Sequence, residues 1–392
     1  MRRLAPVVAG LATFLATSPF LFGGGSGDGD IPVFRMYGDR LLAGDVPYRD
    51  FHPEYPPGAF LFFVLPSLAP ERRYLLVFQL IAALGFVVTI VLLALLVARL
   101  GASWSFQCFA LVFAGATPLL LGGFTLRRFD MWPAAICIAT LLLLIADRPM
   151  GAFTLLAVGT VIKWYPVILL PLALLFLDPA RRVRSFASFC LVSLVLWLPF
   201  AIVGHGGLYN SEKGQADRHL HLDSIGSSVL LAVHKPIRLA FDGGGWSVFG
   251  SGAAAVADIQ TVVQLLAIAL CWLLFARSRR EPWDLVGAAA TTLAVAACLG
   301  KVLSPQFLLW FAPLLVLARS AVATVLFAAA MLLTHALFPA RYGGLLAKHD
   351  GEIWLLVARN ACLVGVVIAL LAVQVGRLAP ARTPLRLEGA HG

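Results

Sequence analysis

The chain has 392 residues, 60% of them hydrophobic and 13% charged, with a formal net charge of +10. Soluble proteins carry about 25% charged residues, and the apolar residues here run in blocks long enough to cross a hydrocarbon layer about 30 Å thick; a soluble globular protein is excluded. The positive charge does not describe a nucleic-acid surface either, because the arginines sit in short clusters at the ends of apolar blocks, where membrane orientation places them.

The first block, 4–22, follows Met1-Arg2-Arg3. At about 19 residues it is longer than a signal-peptide core of about 7–15, so it reads as a retained first helix. Further blocks fall at 74–98, 105–122, 131–146, 150–161, 164–177, 186–203, 257–276, 284–300, 307–318, 320–338 and 354–375. The expected fold is therefore an all-α polytopic bundle of about 12 transmembrane helices, in one domain over 1–376. The Arg/Pro-rich residues 377–392 are expected to form a disordered cytoplasmic tail.

Threading the blocks from a cytoplasmic N-terminus puts Arg2/Arg3, Arg99, Arg148, Arg181/Arg182/Arg184, Arg277/Arg279/Arg280, Arg319 and Arg377 inside. The outer segments are then 23–73, 123–130, 162–163, 204–256, 301–306 and 339–353, with 23–73 and 204–256 the long loops. Blocks 150–161 and 164–177 are too short to span separately at about 1.5 Å per residue. They read as a broken pair turning at Lys163-Trp164-Tyr165-Pro166, a device tolerated where it lines a cavity. Residues 58–70 read as a helix lying on the outer membrane surface. All six cysteines lie in apolar blocks, which offers neither a metal-type spacing nor a loop disulfide, and they read as small buried hydrophobes.

The first outer loop gathers six acids, Asp28, Asp30, Asp39, Asp45, Asp50 and Glu54, among aromatics. Rings stack on a pyranose face and carboxylates accept its hydroxyl hydrogens, so the loop has the chemistry of a sugar site. By spacing alone Asp28 and Asp30 are equivalent candidates for a general base, and most acids in such a loop are only solvated. Arg127 and Arg128 precede the fourth block, where an Arg128–Asp130 pair would hold a guanidinium ready for phosphate. Lys163 in an apolar stretch is costly unless paired or solvated, and Lys301 lies at a similar outward junction. His219, His221 and Asp223 alternate with leucines, which puts them on one face of an extended segment. A zinc set is one reading, a contact to substrate another and an ordinary surface a third; His-x-His recurs by accident, and no metal is expected. His335 reads as a hydrogen-bonded core residue, and Arg359-Asn360 as partners of neighbouring helices.

Several ordered motifs carry a family resemblance. Asp30-Ile31-Pro32-Val33-Phe34 is followed by Leu41-Leu42, Gly44 and Pro47-Tyr48-Arg49-Asp50-Phe51, then by Glu54-Tyr55-Pro56-Pro57. Further on stand Arg128-Phe129-Asp130-Met131-Trp132-Pro133, Lys163-Trp164-Tyr165-Pro166 and Ser304-Pro305-Gln306-Phe307-Leu308-Leu309-Trp310. Over about residues 20–320 the set resembles the GT-C membrane glycosyltransferases, and among them the actinobacterial polyprenyl-phosphate-mannose-dependent α-1,2-mannosyltransferases that build phosphatidylinositol mannosides.

The resemblance implies a GT-C bundle in the plasma membrane, termini cytoplasmic and active site outside. It implies a sugar, mannose foremost, moved from a polyprenyl-phosphate donor to a glycolipid or polysaccharide acceptor, with inversion. Matching residue by residue, it makes Asp30 the base with Asp28 as rival. Arg128, Lys163, His219 and Lys301 would serve the donor phosphate, and Tyr37, Tyr48, Glu54, Tyr55 and Asp130 would bind sugar or shape the loop. Phe34 stands where relatives often have Tyr, which removes any hydroxyl role there. No cofactor beyond the lipid-linked donor is implied. The Arg-, Ala-, Gly- and Leu-rich usage fits a GC-rich bacterial genome. The alternatives are an arabinosyltransferase of the same fold, a transporter or lipid flippase, and a scaffold subunit with a degenerate site. The concentration of acids in the first outer loop and the absence of an internal repeat weigh against transport.

Overall fold

The structure, a computed structural model, describes residues 4–23 and 29–378. Asp28 and nearly all of the tail lie outside the described residues. Each of the twelve apolar blocks is helical. Helix α1 (Ala5–Thr17) continues into a 3-10 turn, and α2 (Ile31–Leu42) and α3 (Phe60–Ser67) occupy the first long loop. Then come α4 (Tyr74–Arg99), α5 (Trp104–Leu121), α6 (Met131–Ile145) and α7 (Pro149–Ile162). The chain breaks at Lys163-Trp164 and re-enters through a 3-10 turn to α8 (Leu170–Phe176), the broken pair expected from the sequence.

Helix α9 (Pro179–Val203) returns to a second long connection holding α10 (Gly207–Ala216) and α11 (Ile225–Ala232). The remainder is α12 (Ala253–Arg277), α13 (Pro282–Cys298), α14 (Ala312–Leu315) within a 3-10 run, α15 (Ala321–Leu337), α16 (Tyr342–Leu346) and α17 (Asp350–Gly376). Among the described residues five helices, α4, α5, α9, α12 and α17, are long and apolar enough to cross a membrane, and the chain is a mostly helical multi-pass membrane protein.

Burial separates two kinds of helix. α13 is almost wholly buried, as is the 305–318 run, so these short apolar segments form the centre. Helix α9 buries only Ser185 and Phe189 and turns Leu191, Leu194, Val195, Leu198 and Ile202 outward. An apolar surface of that extent belongs against hydrocarbon rather than water. Three of the cysteines, Cys137, Cys271 and Cys298, are buried as expected, but Cys190 on α9 is exposed.

The connections collect at two ends. At one, Arg127 and Gln79 donate to Gly23 O, His221 N donates to Lys301 O at 2.9 Å, and Ser211 donates to Pro53 O. At the other, Trp283 Nε1 donates to Leu100 O at 3.1 Å, Arg377 Nη1 to Trp283 O at 2.8 Å, and Arg181 meets Asp147.

Two expectations are corrected. The fold is not all-α: β1 (Leu220–His221), β2 (Ile237–Asp242) and β3 (Gly245–Gly250) form an antiparallel sheet in the order β1-β3-β2. Its hairpin turns at Gly243-Gly244, both at positive φ, which suits a primed two-residue turn. The segment after Pro57 is the helix expected there, with Phe60, Phe62 and Phe63 buried in an aromatic cluster with Phe34, Tyr48 and Phe129 and with Leu61, Leu65 and Leu68 exposed on its other face. His335 is exposed rather than in the core.

Loop 1 and the second long connection meet at Tyr48 and Gly207. A Cβ on Gly207 would fall 1.6 Å from Tyr48 O, so no other residue fits that contact.

Candidate active site

Two aspartates stand at helix starts and neither caps its helix. Asp30 is the N-cap of α2 and Asp130 that of α6, yet neither side chain accepts a bond from its own first turn. An N-cap carboxylate ordinarily accepts from the second or third amide of the helix. Pro32 occupies the second position of α2 and Pro133 the third of α6, each removing one such donor. Both carboxylates instead take cations from other elements. Asp30 Oδ2 lies 2.8 Å from Arg128 Nη1, and Asp130 Oδ1 lies 2.5 Å from Lys163 Nζ. The expected Arg128–Asp130 pair is thus corrected: Arg128 crosses to α2, and Asp130 is claimed by the lysine at the break after α7.

Burial differs sharply between the two pairs. The Asp130 side chain is 1% exposed, whereas that of Asp30 is 34% exposed. Trp310 Nε1 donates to Asp130 Oδ1 at 2.7 Å, while Asp130 Oδ2 is buried without a hydrogen bond among the described residues. Lys163 Nζ sits 4.9 Å from the Phe129 ring and 5.7 Å from that of Trp310, so aromatic faces supply part of its solvation. Trp310 in turn stacks on Tyr165 at 4.3 Å.

Below the Asp30–Arg128 pair lies an aromatic wall. Phe34 stacks on Phe63 at 4.7 Å and on Phe78 at 5.5 Å, and Tyr55 meets Phe34 edge-on at 5.6 Å. Phe34 is fully buried in this stack, where a ring without a hydroxyl suits an apolar setting. Tyr37 packs on Phe51, and burial, with the charges of Glu54 and Asp30 adding, pushes its hydroxyl up to about 12. Tyr48 is a brace: its hydroxyl donates to Tyr55 O at 2.7 Å.

Glu54 completes the acid set, its carboxyl raised by burial against the opposing charge of Arg218. Burial holds the Arg218 guanidinium below its ordinary range, with Glu54 opposing, and its side chain packs against Gly243 and Gly245 of the hairpin. The hairpin fits onto the pair. Gly244, at φ +76°, approaches so closely that a Cβ would lie 2.2 Å from Glu54 Oε2. The segment that follows Arg218 is anchored from behind. Arg359 donates to Asp223 O at 2.7 Å, Asn360 to Ser224 O at 3.1 Å, and the Tyr342 hydroxyl to Asp223 Oδ2 at 2.9 Å. Arg359 and Asn360 therefore hold the turn that leads from β1 into α11, whose N-cap is Ser224.

The end of the bundle thus presents paired acids and cations over an aromatic floor, with one carboxylate open to solvent. Residues 51–300 match the family model described as glycosyltransferase family 87. The chain is a member of glycosyltransferase family 87. The matched stretch includes Glu54, Arg128, Asp130, Lys163 and Arg218 and begins after Asp30. Among solved structures the chain is similar to ArnT from Cupriavidus metallidurans bound to undecaprenyl phosphate, at 14% identity and a TM-score of 0.46, over 95% of this chain and 77% of that one. No curated protein sequence matches it.

In this family 87 chain, two of the cations expected from the sequence stand elsewhere. His219 is exposed, its Nδ1 2.7 Å from Asp242 Oδ2 at the hairpin and its ring 4.6 Å from Phe249. Lys301 donates to Ala216 O at 3.0 Å and is committed to holding a loop. His219, His221 and Asp223 do not share a face: His221 and Asp223 are buried against α17 while His219 points outward, because β1 is only two residues long. Among the described residues no group of three His, Cys, Asp or Glu side chains is placed to hold a metal ion. Arg218 and Trp310 were not singled out from the sequence. Trp310 ends a motif noted there and Arg218 directly precedes His219, but nothing in their spacing tells which of the neighbouring side chains approaches the acids.

Proposed function

We propose that this family 87 glycosyltransferase moves one sugar, mannose foremost, from a polyprenyl phosphate to a hydroxyl of a lipid-linked or polysaccharide acceptor. The observation that carries the reading is the meeting of Asp30–Arg128 and Asp130–Lys163 at one end of a membrane bundle, above an aromatic wall and with Asp30 open to solvent. The acceptor oxygen attacks the anomeric carbon while the bond from that carbon to the phosphate oxygen breaks. Asp30 takes the hydroxyl proton, and the polyprenyl phosphate leaves with the bonding electrons. One displacement inverts the centre, so a β-linked donor gives an α-linkage.

Phosphate needs no protonation to depart, which is why one carboxylate acts on the reacting atoms where a glycosidase uses two. Arg128 and Lys163 meet the charge that builds on the leaving phosphate, and Arg218 replaces His219 and Lys301 as the third cation. Asp130 and Trp310 hold Lys163 in place. The GT-C architecture, cytoplasmic termini and an extracytoplasmic site in the plasma membrane belong to the same proposal. The orientation is supported by the arginine clusters gathered at the opposite end.

The test incubates membranes containing the chain with radiolabelled polyprenyl-phosphate-mannose, and in parallel with the arabinose analogue, and follows label in the lipid and polysaccharide fractions. Transfer that Asp30→Asn removes supports the proposal, and the preferred donor names the sugar. Label that crosses the membrane still attached to its lipid carrier, with no sugar transferred, would instead indicate a transporter.

A further inference from the structure

A groove of about 440 Å³ opens on the flank of the bundle between α5 and α15, at the end away from Asp30. Its walls are apolar, formed by Phe106, Phe109, Val316 and Val325, and Phe109 and Val325 are themselves exposed on the lipid-facing side. The polar groups beside it are mostly spent. Ser320 Oγ accepts from Ala323 N and the Thr324 hydroxyl donates to Ser320 O at 2.9 Å.

Arg319 is the exception. Its guanidinium lies 3.9 Å over the Trp283 ring and 5.5 Å from that of Phe106, and among the described residues it has neither a hydrogen bond nor a carboxylate within ion-pair distance. Arg377, which donates to Trp283 O and Ala318 O, adds a second positive charge close by.

An uncommitted cation at the edge of a lipid-exposed apolar trough matches an amphiphile with an anionic head. A free anion would leave the trough bare, and the ammonium group of a zwitterionic lipid would be repelled by Arg319 and Arg377. We propose that this groove holds one anionic glycerophospholipid, its phosphate on Arg319 and one acyl chain between α5 and α15. The site is separate from the transferase centre, and its test does not depend on activity.

Native mass spectrometry of the detergent-purified full chain, titrated with phosphatidylglycerol and with phosphatidylcholine, reads it directly. Phosphatidylglycerol is expected to bind about tenfold more tightly, the scale of one charge-assisted contact. Arg319→Ala should abolish that preference and Arg319→Lys should keep most of it. Thr324→Trp, which fills the groove, should weaken both lipids, and it decides the matter if Arg319→Ala does not fold. Equal binding of the two lipids by the wild type, or phosphatidylglycerol binding indifferent to both Arg319→Ala and Thr324→Trp, overturns the proposal. So does a polyprenyl phosphate that binds at Arg319 in preference to phosphatidylglycerol.

Discussion

Both ends of the bundle are rich in cations, but the cations do different work. At the end holding Arg280 and Arg377, guanidiniums donate to backbone oxygens: Arg182 to Leu177 O, Arg280 to Ala276 O and Leu175 O, and Arg377 to Trp283 O and Ala318 O. Apart from Trp283 at the start of α13, these carbonyls lie in the last turns of helices or just beyond them, where they lack partners of their own and where positive charge is favoured. At the other end Arg128 and Lys163 grip carboxylates from other elements. The first arrangement ties off helices; the second holds charge in readiness for a substrate. Counting arginines orients such a chain but does not find its chemistry.

The difference can be broken or sharpened by substitution. The largest effect is expected at Asp30. Asp30→Asn should cut sugar transfer by about 10²–10⁴-fold, the usual contribution of a general base, with the thermal midpoint unchanged; transfer at the wild-type rate would leave the acidic end without its proposed base. Lys163→Met leaves Asp130 buried without its cation, and should cost about 3–5 kcal/mol in unfolding free energy, as broken buried pairs do. The double variant Lys163→Met with Asp130→Leu should regain much of that stability in a denaturation series without regaining transfer. Recovery of both would make the pair a purely structural brace.

A smaller effect is expected from pH. Burial holds the His221 ring below its ordinary value, with Asp223 opposing. At this ring the fold binds fewer protons than the unfolded chain, so the His221 contribution to stability is complete above about pH 6.5 and declines as pH falls below it, by at most about 1.4 kcal/mol per unit. Thermal midpoints at pH 7.5 and 5.5 check this, and His221→Gln should flatten the difference. The smallest effect belongs to the opposite end. Asp147 and Arg181 form an exposed pair, so Asp147→Asn should change stability by less than about 1 kcal/mol and transfer not at all. A large loss in either assay would erase the contrast between the ends.

Much of this architecture is legible in the chain. The twelve apolar blocks and the broken pair at Lys163 follow from composition and length, since an apolar run must bury its backbone bonds in a helix. Asp30, Arg128, Asp130 and Lys163 stand out because charge beside an apolar stretch needs a reason. Their pairing was not legible. Arg128 and Asp130 are two residues apart, and only the positions of α2 and α7 decide that each looks elsewhere for a partner. Arg218 was hidden for a related reason, since only the fold of the hairpin over loop 1 brings it near Glu54. The hairpin itself was written in the alternation on either side of Gly243-Gly244, a short-period signal easily lost in a chain dominated by helices.

The contact between Gly207 and Tyr48 carries a genetic consequence. A screen for inactive alleles would return position 207 alongside the acids, although it contributes no group that touches a reactant. Any side chain there must prise the two extramembrane segments apart and so displace the aromatic floor on which the reacting groups stand. Loss of function at such a position would reflect a seam between two pieces of chain, and raising expression would not restore it.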